Sequence, residues 1–329
     1  MLGSLASANT TTANAASSQD HGVLFSHAPL SSPNGESYGG NLYVWTPGHV
    51  PRSLTSDTDP RDQAQWSPNG NEIAFTMSPS WNGQGSVSDA PTIEVFTTRS
   101  DGDNALQLSK DGETGGPAPG ADATSGPIWS PNGRQILFAR EFADRPGQMV
   151  VVSALGGTET TLHPVSRGSD GAYWWQPNGI GYVVYTADNS SPSHQAAPSR
   201  LELLNPNTGR SKTLARVNLA GKQILTAVWS AKTRRVAMIV QTINSGETSI
   251  TTYSEAGRKL ASFRTLVPKP HWQACGLSWS PDGTQFVVAF YPGRLPYPAR
   301  YYETYEVRTN GTHWKRLPVN PSTCSVSWH

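Results

Sequence analysis

Trp66-Ser67-Pro68-Asn69-Gly70, Trp129-Ser130-Pro131-Asn132-Gly133 and Trp279-Ser280-Pro281-Asp282-Gly283 are one motif written three times along a chain of 329 residues. Weaker copies stand at Trp175-Gln176-Pro177-Asn178-Gly179 and at Trp229-Ser230, where the turn degenerates to Ala231-Lys232-Thr233. Seven positions after each Trp comes an apolar or aromatic residue, and another follows two further on: Ile73 and Phe75, Ile136 and Phe138, Tyr182 and Val184, Val236 and Met238, Phe286 and Val288. Period two is the mark of a strand with one face buried. Within the motif, Pro presets φ for the first turn position, Asn or Asp tolerates the next, and Gly accepts positive φ. The chain therefore reverses tightly into an antiparallel partner. The Trp supplies a large apolar plate for packing between neighbouring sheets.

Each copy continues alike. A third strand follows, at Leu42 to Trp45, Ile93 to Phe96, Met149 to Val152, Leu201 to Leu204, Ile250 to Tyr253 and Tyr302 to Val307. After a Gly-rich turn a fourth strand ends on Leu54, Leu108, Leu162, Leu214, Phe263 or Leu317. Four antiparallel strands per unit at this spacing specify an all-β fold, a six-bladed β-propeller over residues 22–329.

The first unit has no Trp strand of its own. Val23 and Phe25 hold its plus-seven and plus-nine positions, yet nothing like the motif precedes them. Ser325-Val326-Ser327-Trp328 matches Leu277-Ser278-Trp279 and Ala227-Val228-Trp229, so the C-terminal strand is expected to enter the first blade and close the ring, removing exposed sheet edges. Cys275 and Cys324 each precede such a Trp by four residues, which places them at the heads of adjacent inner strands. Two outcomes fit, a disulfide stapling the closure or a pair of buried thiols, and an oxidising compartment selects the disulfide.

Composition narrows the function. Only 15% of the residues are charged and the net charge is +1, so the basic footprint of a nucleic-acid partner is missing. No apolar run is long enough to cross a bilayer as a helix, and membrane insertion is not expected. Residues 1–21 are mostly Ala, Ser, Thr and Asn, a composition that cannot repay ordering entropy, and are read as a tail or linker. An initiator Met before such a segment is what trimming of a signal peptide or membrane anchor leaves, so a secreted or extracytoplasmic monomer is expected.

The repeats resemble those of the TolB-type propellers, a branch of the WD-repeat-like proteins, over nearly everything from Gly22 to His329. The resemblance implies the fold. For function it implies several things, since related propellers act as protein-binding platforms, as gating domains of serine peptidases and as oligosaccharide lyases. A separate N-terminal domain like that of TolB itself is not recognisable here.

Catalytic spacing is hard to find. No G-x-S-x-G elbow, H-E-x-x-H or C-x-x-C occurs. Related lyase propellers hold a metal with histidines from several blades, and His163 and His271 come nearest to that pattern while also reading as unrelated loop histidines. Asp57, Asp59 and Asp62 crowd one loop, where they suit either a hard cation or a solvated turn begun by Asp59-Pro60. No catalytic residue, metal ligand or cofactor is assigned.

Loop parity says more. In a four-stranded antiparallel blade the first-to-second and third-to-fourth turns share one face, and here they are all short. The other face receives the insertions at 28–40, 78–91, 109–126, 187–199, 267–275 and 291–300, and function concentrates in such loops. Arg61, Trp81, Arg167, His271, Trp272, Arg294, Tyr297 and Arg300 fall on that side and are the candidate ligand-binding residues. Prolines stiffen the 291–301 stretch, and Trp, Tyr and Arg are the types enriched at binding hot spots. These aromatics also suit a second role, packing the insertions onto the blades. The leading reading is a non-enzymatic module that binds a protein, peptide or glycan. The alternative is an enzyme, a polysaccharide lyase or glycosidase working at the channel mouth.

Overall fold

A computed structural model of the protein describes residues 22–27, 40–57, 59–77, 93–109, 123–141, 147–165, 172–184, 199–219, 221–266, 268, 271–292 and 302–329. Over these it is all β. Blade 2 runs β4 (Arg61–Trp66), β5 (Glu72–Met77), β6 (Glu94–Arg99) and β7 (Leu106–Gln107), each hydrogen-bonded to the next. Blade 3 repeats this with β8 (Ala123–Trp129), β9 (Gln135–Glu141), β10 (Gly147–Ser153) and β11 (Thr160–Val165). Blade 4 has β12 (Tyr173–Gln176), β13 (Gly179–Val184), β14 (Ser199–Leu204) and β15 (Ser211–Val217). Blade 5 has β16 (Lys222–Ser230), β17 (Arg235–Thr242), β18 (Thr248–Ser254) and β19 (Lys259–Arg264). In blade 6 the strands are β20 (Trp272–Trp279), β21 (Gln285–Pro292), β22 (Glu303–Arg308) and β23 (Lys315–Arg316). Blade 1 joins the two ends of the chain: β24 (Val326–Trp328) is innermost, followed by β1 (Val23–His27), β2 (Asn41–Trp45) and β3 (Arg52–Ser53).

The motif Ser does work that the turn rules alone do not show. Ser67 Oγ donates to Asn69 Oδ1 at 2.7 Å and accepts from the Glu72 N–H at 3.0 Å, while the Asn71 N–H donates to Asn69 Oδ1 at 3.1 Å. Blades 3 and 6 repeat the pattern through Ser130 with Asn132 and Ser280 with Asp282. Hydrogen bonds from Ser280 and Thr284 hold the Asp282 carboxyl below the usual carboxylate range. The motif glycines take φ of 71°, 69° and 71° at Gly70, Gly133 and Gly283, and the degenerate turn of blade 5 instead enters the left-handed region at Arg234, φ 52°.

Trp66 packs with Leu24, Leu42 and Val44 of blade 1 as well as with Ile73 and Phe75 of its own blade. Trp129 and Trp279 bridge blades 2 to 3 and 5 to 6 in the same way. Their indole N–H groups donate backwards: Trp66 to Gly22 O, Trp129 to Gln65 O and Trp279 to Val228 O, at 3.0, 3.2 and 3.1 Å. The core is thus a series of blade-to-blade layers, each keyed by a tryptophan.

Blade 4 departs from the repeat. Elsewhere the motif Trp pairs with the residue seven further on, but Trp175 faces Ile180 and Tyr182 faces Tyr173. Pro177-Asn178 forms a two-residue reversal, so both strands run two residues closer to the turn. The shift brings in a second ring, Trp174, which packs towards blade 5 and is 2% exposed. Gly181 lies directly opposite, and a Cβ there would stand 1.9 Å from the Trp174 ring.

Closure is as the sequence predicts. Val23 pairs with Trp328, Leu24 with Ser327 and Phe25 with Val326. Hydroxyls lock the new strand on both sides, since the Trp66 N–H donates to Ser327 Oγ at 3.1 Å and the Trp328 N–H donates to Ser278 Oγ at 2.9 Å. Cys275 and Cys324 form a disulfide with Cα atoms 5.4 Å apart. Gly276 makes room for it, because a Cβ there would meet the Cys324 carbonyl at 1.8 Å.

Candidate functional site

The strand order divides the connections by face. First-to-second and third-to-fourth turns hold two to six residues each, and the remaining connections, between four and sixteen, all leave from the opposite face. Of the eight candidate ligand-binding residues, Trp81, Arg167, Arg294, Tyr297 and Arg300 belong to these long connections and lie outside the described residues. So do residues 1–21.

Arg61, at the head of β4, is 5% exposed. Its guanidinium clasps the Asp57 carboxylate with both terminal nitrogens, Nη2 to Oδ2 at 2.7 Å, donates to the Asp59 carbonyl at 3.0 Å and lies 5.7 Å from the centre of the Phe75 ring. The geometry organises the entry to blade 2, and the guanidinium holds Asp57 below the ordinary carboxylate range. Asp57, Asp59 and Asp62 do not converge. Asp62 turns away to the closure strand, accepting from Thr323 Oγ1 at 2.7 Å and from the Gln63 N–H at 2.6 Å. Among the described residues no three His, Cys, Asp or Glu side chains are grouped to hold a metal ion. His163 stands in the outermost strand of blade 3 and His271 at the head of the innermost strand of blade 6, so the fold does not bring them together.

Burial pushes the Asp62 carboxyl above its ordinary range despite these two hydrogen bonds. The unfolded chain ionises Asp62 first as pH rises, so its contribution to stability is greatest at low pH and is lost as pH climbs through the raised value. Asn preserves both hydrogen bonds without the charge. Asp62→Asn is therefore expected to melt above the wild type at pH 7 and to lose that advantage as pH falls to about 3, below the ordinary carboxylate range. A lower melting point at pH 7 would show that the ionised form is the one the fold favours.

Blades 5 and 6 present the best-defined part of the long-connection face. His271 is exposed and takes φ 69°, a conformation non-glycine residues hold only when their surroundings impose it. Next to it Trp272 is half-buried, opposite Pro292 in β21 and packed on the layer of Ala274 and Phe290. Trp272 thus serves packing as well as surface, and its removal is expected to cost stability. A chain of neutral polar side chains crosses the blade junction here. Gln223 Nε2 donates to Gln241 Oε1 at 2.6 Å, Gln241 Nε2 to Gln273 Oε1 at 2.7 Å, and Tyr291 OH to the same oxygen at 2.8 Å. Tyr291 stacks with Tyr302, ring centres 6.4 Å apart.

On the opposite face a cavity of about 300 Å³ opens along the axis, lined by the motif tryptophans Trp66, Trp129, Trp175, Trp229, Trp279 and Trp328 with Pro68, Pro131 and Pro281. The sequence reading treats these tryptophans only as packing plates. A signal for the cavity was nonetheless available, since six equivalent positions at the ends of inner strands must meet on the axis of a closed ring. The glutamine chain gave no such signal, because its members come from four strands of two blades.

No family model matches the chain, and no curated protein matches it. Solved structures do. A TolB candidate from Agrobacterium tumefaciens aligns over 92% of this chain and 91% of its own, with 12% identity and a TM-score of 0.55. TolB from Acinetobacter baumannii aligns over 94% of this chain and 66% of its own, with 14% identity and a TM-score of 0.56. An oligogalacturonate lyase from Vibrio parahaemolyticus aligns over 89% of this chain and 79% of its own, at 10% identity and a TM-score of 0.49. At such identities the likeness to the two TolB structures establishes the propeller fold and nothing finer.

Proposed function

We propose that this protein is a non-enzymatic binding module of an extracytoplasmic compartment, and that it holds a protein, peptide or glycan on its long-connection face. The observation that carries this reading is the division of connections: a rigid ring delivers every long connection to one side, where recognition residues are free to vary without disturbing the blades. Arg294, Tyr297 and Arg300, with Trp81, Arg167 and His271, are the side chains assigned to contact the ligand. Arg61 acts from behind, by fixing the entry to blade 2. The Cys275–Cys324 disulfide supports the compartment, since such bonds persist where thiols are not kept reduced. The residues lining the axial cavity are mainly Trp, Pro and Ser with Lys232 and His329, and none of them is the Asp or Glu that the paired carboxylates of glycoside hydrolysis require.

Binding of the purified protein to immobilised glycan and peptide arrays tests the reading. Tyr297→Ala with Arg300→Ala is expected to weaken the strongest array ligand at least tenfold, about 1.4 kcal/mol, while the melting temperature stays within a few degrees. Unchanged affinity for that ligand would move the site elsewhere on the ring.

A further inference from the structure

The net charge of +1 hides an uneven chain. Residues 200–329 hold 17 of the 25 Lys and Arg but only 6 of the 24 Asp and Glu, so the outer half of blade 4 and all of blades 5 and 6 are basic. The surplus gathers at the short-turn end. Arg210 and Lys212 of blade 4, Lys232, Arg235, Arg258 and Lys259 of blade 5, and Arg308 of blade 6 all stand there exposed, none with an ion-pair partner among the described residues. The carboxylates at that end are already engaged: Glu255 with Arg234, Glu306 with Lys315, and Asp282 with the hydroxyls of Ser280 and Thr284. Each third-to-fourth turn leans on the blade before it, since a Cβ on Gly257 would meet Leu214 and one on Gly311 would meet Phe263. The cations therefore form one arc. Cations on outer strands also guard a sheet edge against pairing, which accounts for Lys212 and Lys259. It does not account for Lys232, which lines the axial cavity, or for Arg235 in the same hairpin.

The other half of this face is apolar at its tips. Val50 and Leu155, in the third-to-fourth turns of blades 1 and 3, are 85% and 82% exposed, and Leu106 of β7 is 42% exposed. Leu106 adjoins the Leu155 turn, because a Cβ on Gly156 would stand 3.7 Å from its Cδ2. Charges in this half balance: Arg52, Arg99 and Arg134 stand among Glu72, Asp101 and Asp103, and Glu159 is paired with Arg140. Turns of two to six residues leave the whole face flat. A flat surface with exposed apolar tips and an arc of unmatched cations suits an anionic bilayer, which offers negative headgroups and an apolar boundary together. An anionic polymer matches the cations but gives Val50 and Leu155 nothing to bury against. We propose that the short-turn face docks on an anionic membrane surface, with blades 4 to 6 against the headgroups and Val50 and Leu155 at the acyl boundary. The protein lies on the bilayer without crossing it, and its long connections point away. This inference stands independently of the ligand assigned to that outer side.

Flotation of the full chain with vesicles of phosphatidylcholine alone, or of phosphatidylcholine mixed with phosphatidylglycerol, tests the docking, with dextran sulfate as a soluble polyanion. Binding to the anionic vesicles is expected to exceed binding to the neutral ones at least tenfold, and to fade as added salt screens the charges. Lys212→Glu with Lys259→Glu should weaken it at least fivefold at unchanged melting temperature. Lys222→Glu, at the long-connection end of blade 5, should leave it unchanged. Val50→Ser with Leu155→Ser should weaken vesicle binding at least threefold without altering any binding to dextran sulfate. If the outer-strand pair does not fold, Lys232→Glu carries the comparison. Equal binding to both vesicle types, no binding to either, or binding that survives the reversals in blades 4 and 5 overturns the proposal, as does an equal loss from Lys222→Glu. Vesicle binding indifferent to Val50→Ser with Leu155→Ser overturns it too, and makes the partner an anionic polymer.

Discussion

Deleting Cys324 to His329 lowers the melting temperature by on the order of 10 °C or abolishes cooperative folding, because several independent ties at the closure are lost together. The disulfide spans 49 residues, and in the chain-entropy model a loop of that size contributes about 4 kcal/mol. Val326 is 7% exposed and packs with Val23, Phe25, Val287 and Leu317, so its removal opens a cavity shared by blades 1 and 6. The deletion also leaves the inner edge of β1 unpaired and removes the Ser327 hydroxyl that receives the Trp66 N–H. Thermal unfolding followed by calorimetry measures the sum. A truncated chain that melts with the wild type would mean that the ring is held by something other than its C-terminal strand.

A second large effect is expected from one methyl group. Gly181→Ala places a Cβ 1.9 Å from Cε2 and 2.1 Å from Cζ2 of Trp174, so the ring is forced out of its place. Trp174 Nε1 donates to Gln176 Oε1 at 2.9 Å, and Gln176 in turn donates to Asn178 Oδ1 at 2.6 Å, so displacing the ring also breaks the ties of the tight Pro177-Asn178 reversal. Overpacking of this kind costs about 1–3 kcal/mol, and the broken ties of the reversal add to it. Trp174→Leu should be destabilising alone yet recover part of the loss when combined with Gly181→Ala, a coupling that a double-mutant cycle reads directly. Additive losses would show that the two positions do not share one space.

Most of the ring was legible because its logic is local and repeated. Each Trp motif announces a hairpin, the period-two pattern announces the strand that follows, and the missing first Trp strand points to Trp328 as its replacement. The cysteines could be placed by the same counting. Blade 4 shows where counting fails. The count of seven from Trp175 falls on Tyr182, but a shortened reversal changes the register while leaving an apolar residue at the expected place, so sequence alone gives no warning.

The site was less legible for a different physical reason. Arg61, Asp57 and Asp62 look like surface polar groups in sequence, and only three-dimensional packing shows that Arg61 is buried beneath its exposed partner Asp57 while Asp62 joins the closure strand. The link from Gln241 to Gln273 spans 32 residues and joins one blade to the next, and no periodicity selects one glutamine from another. Aromatic residues in long connections are visible at once, but whether a ring faces solvent or core is decided by its neighbours. Trp272 does both.

The direct test of the binding face is amide hydrogen exchange of the full chain with and without the strongest ligand from the glycan and peptide arrays. Slowed exchange is expected at the strand ends and turns of the long-connection face, around residues 222–223, 241–247, 271–273 and 302–303. Slowed exchange confined to the reversals at 67–71, 130–134 and 280–284, around the axial cavity, would contradict the assignment and place the site on the opposite face.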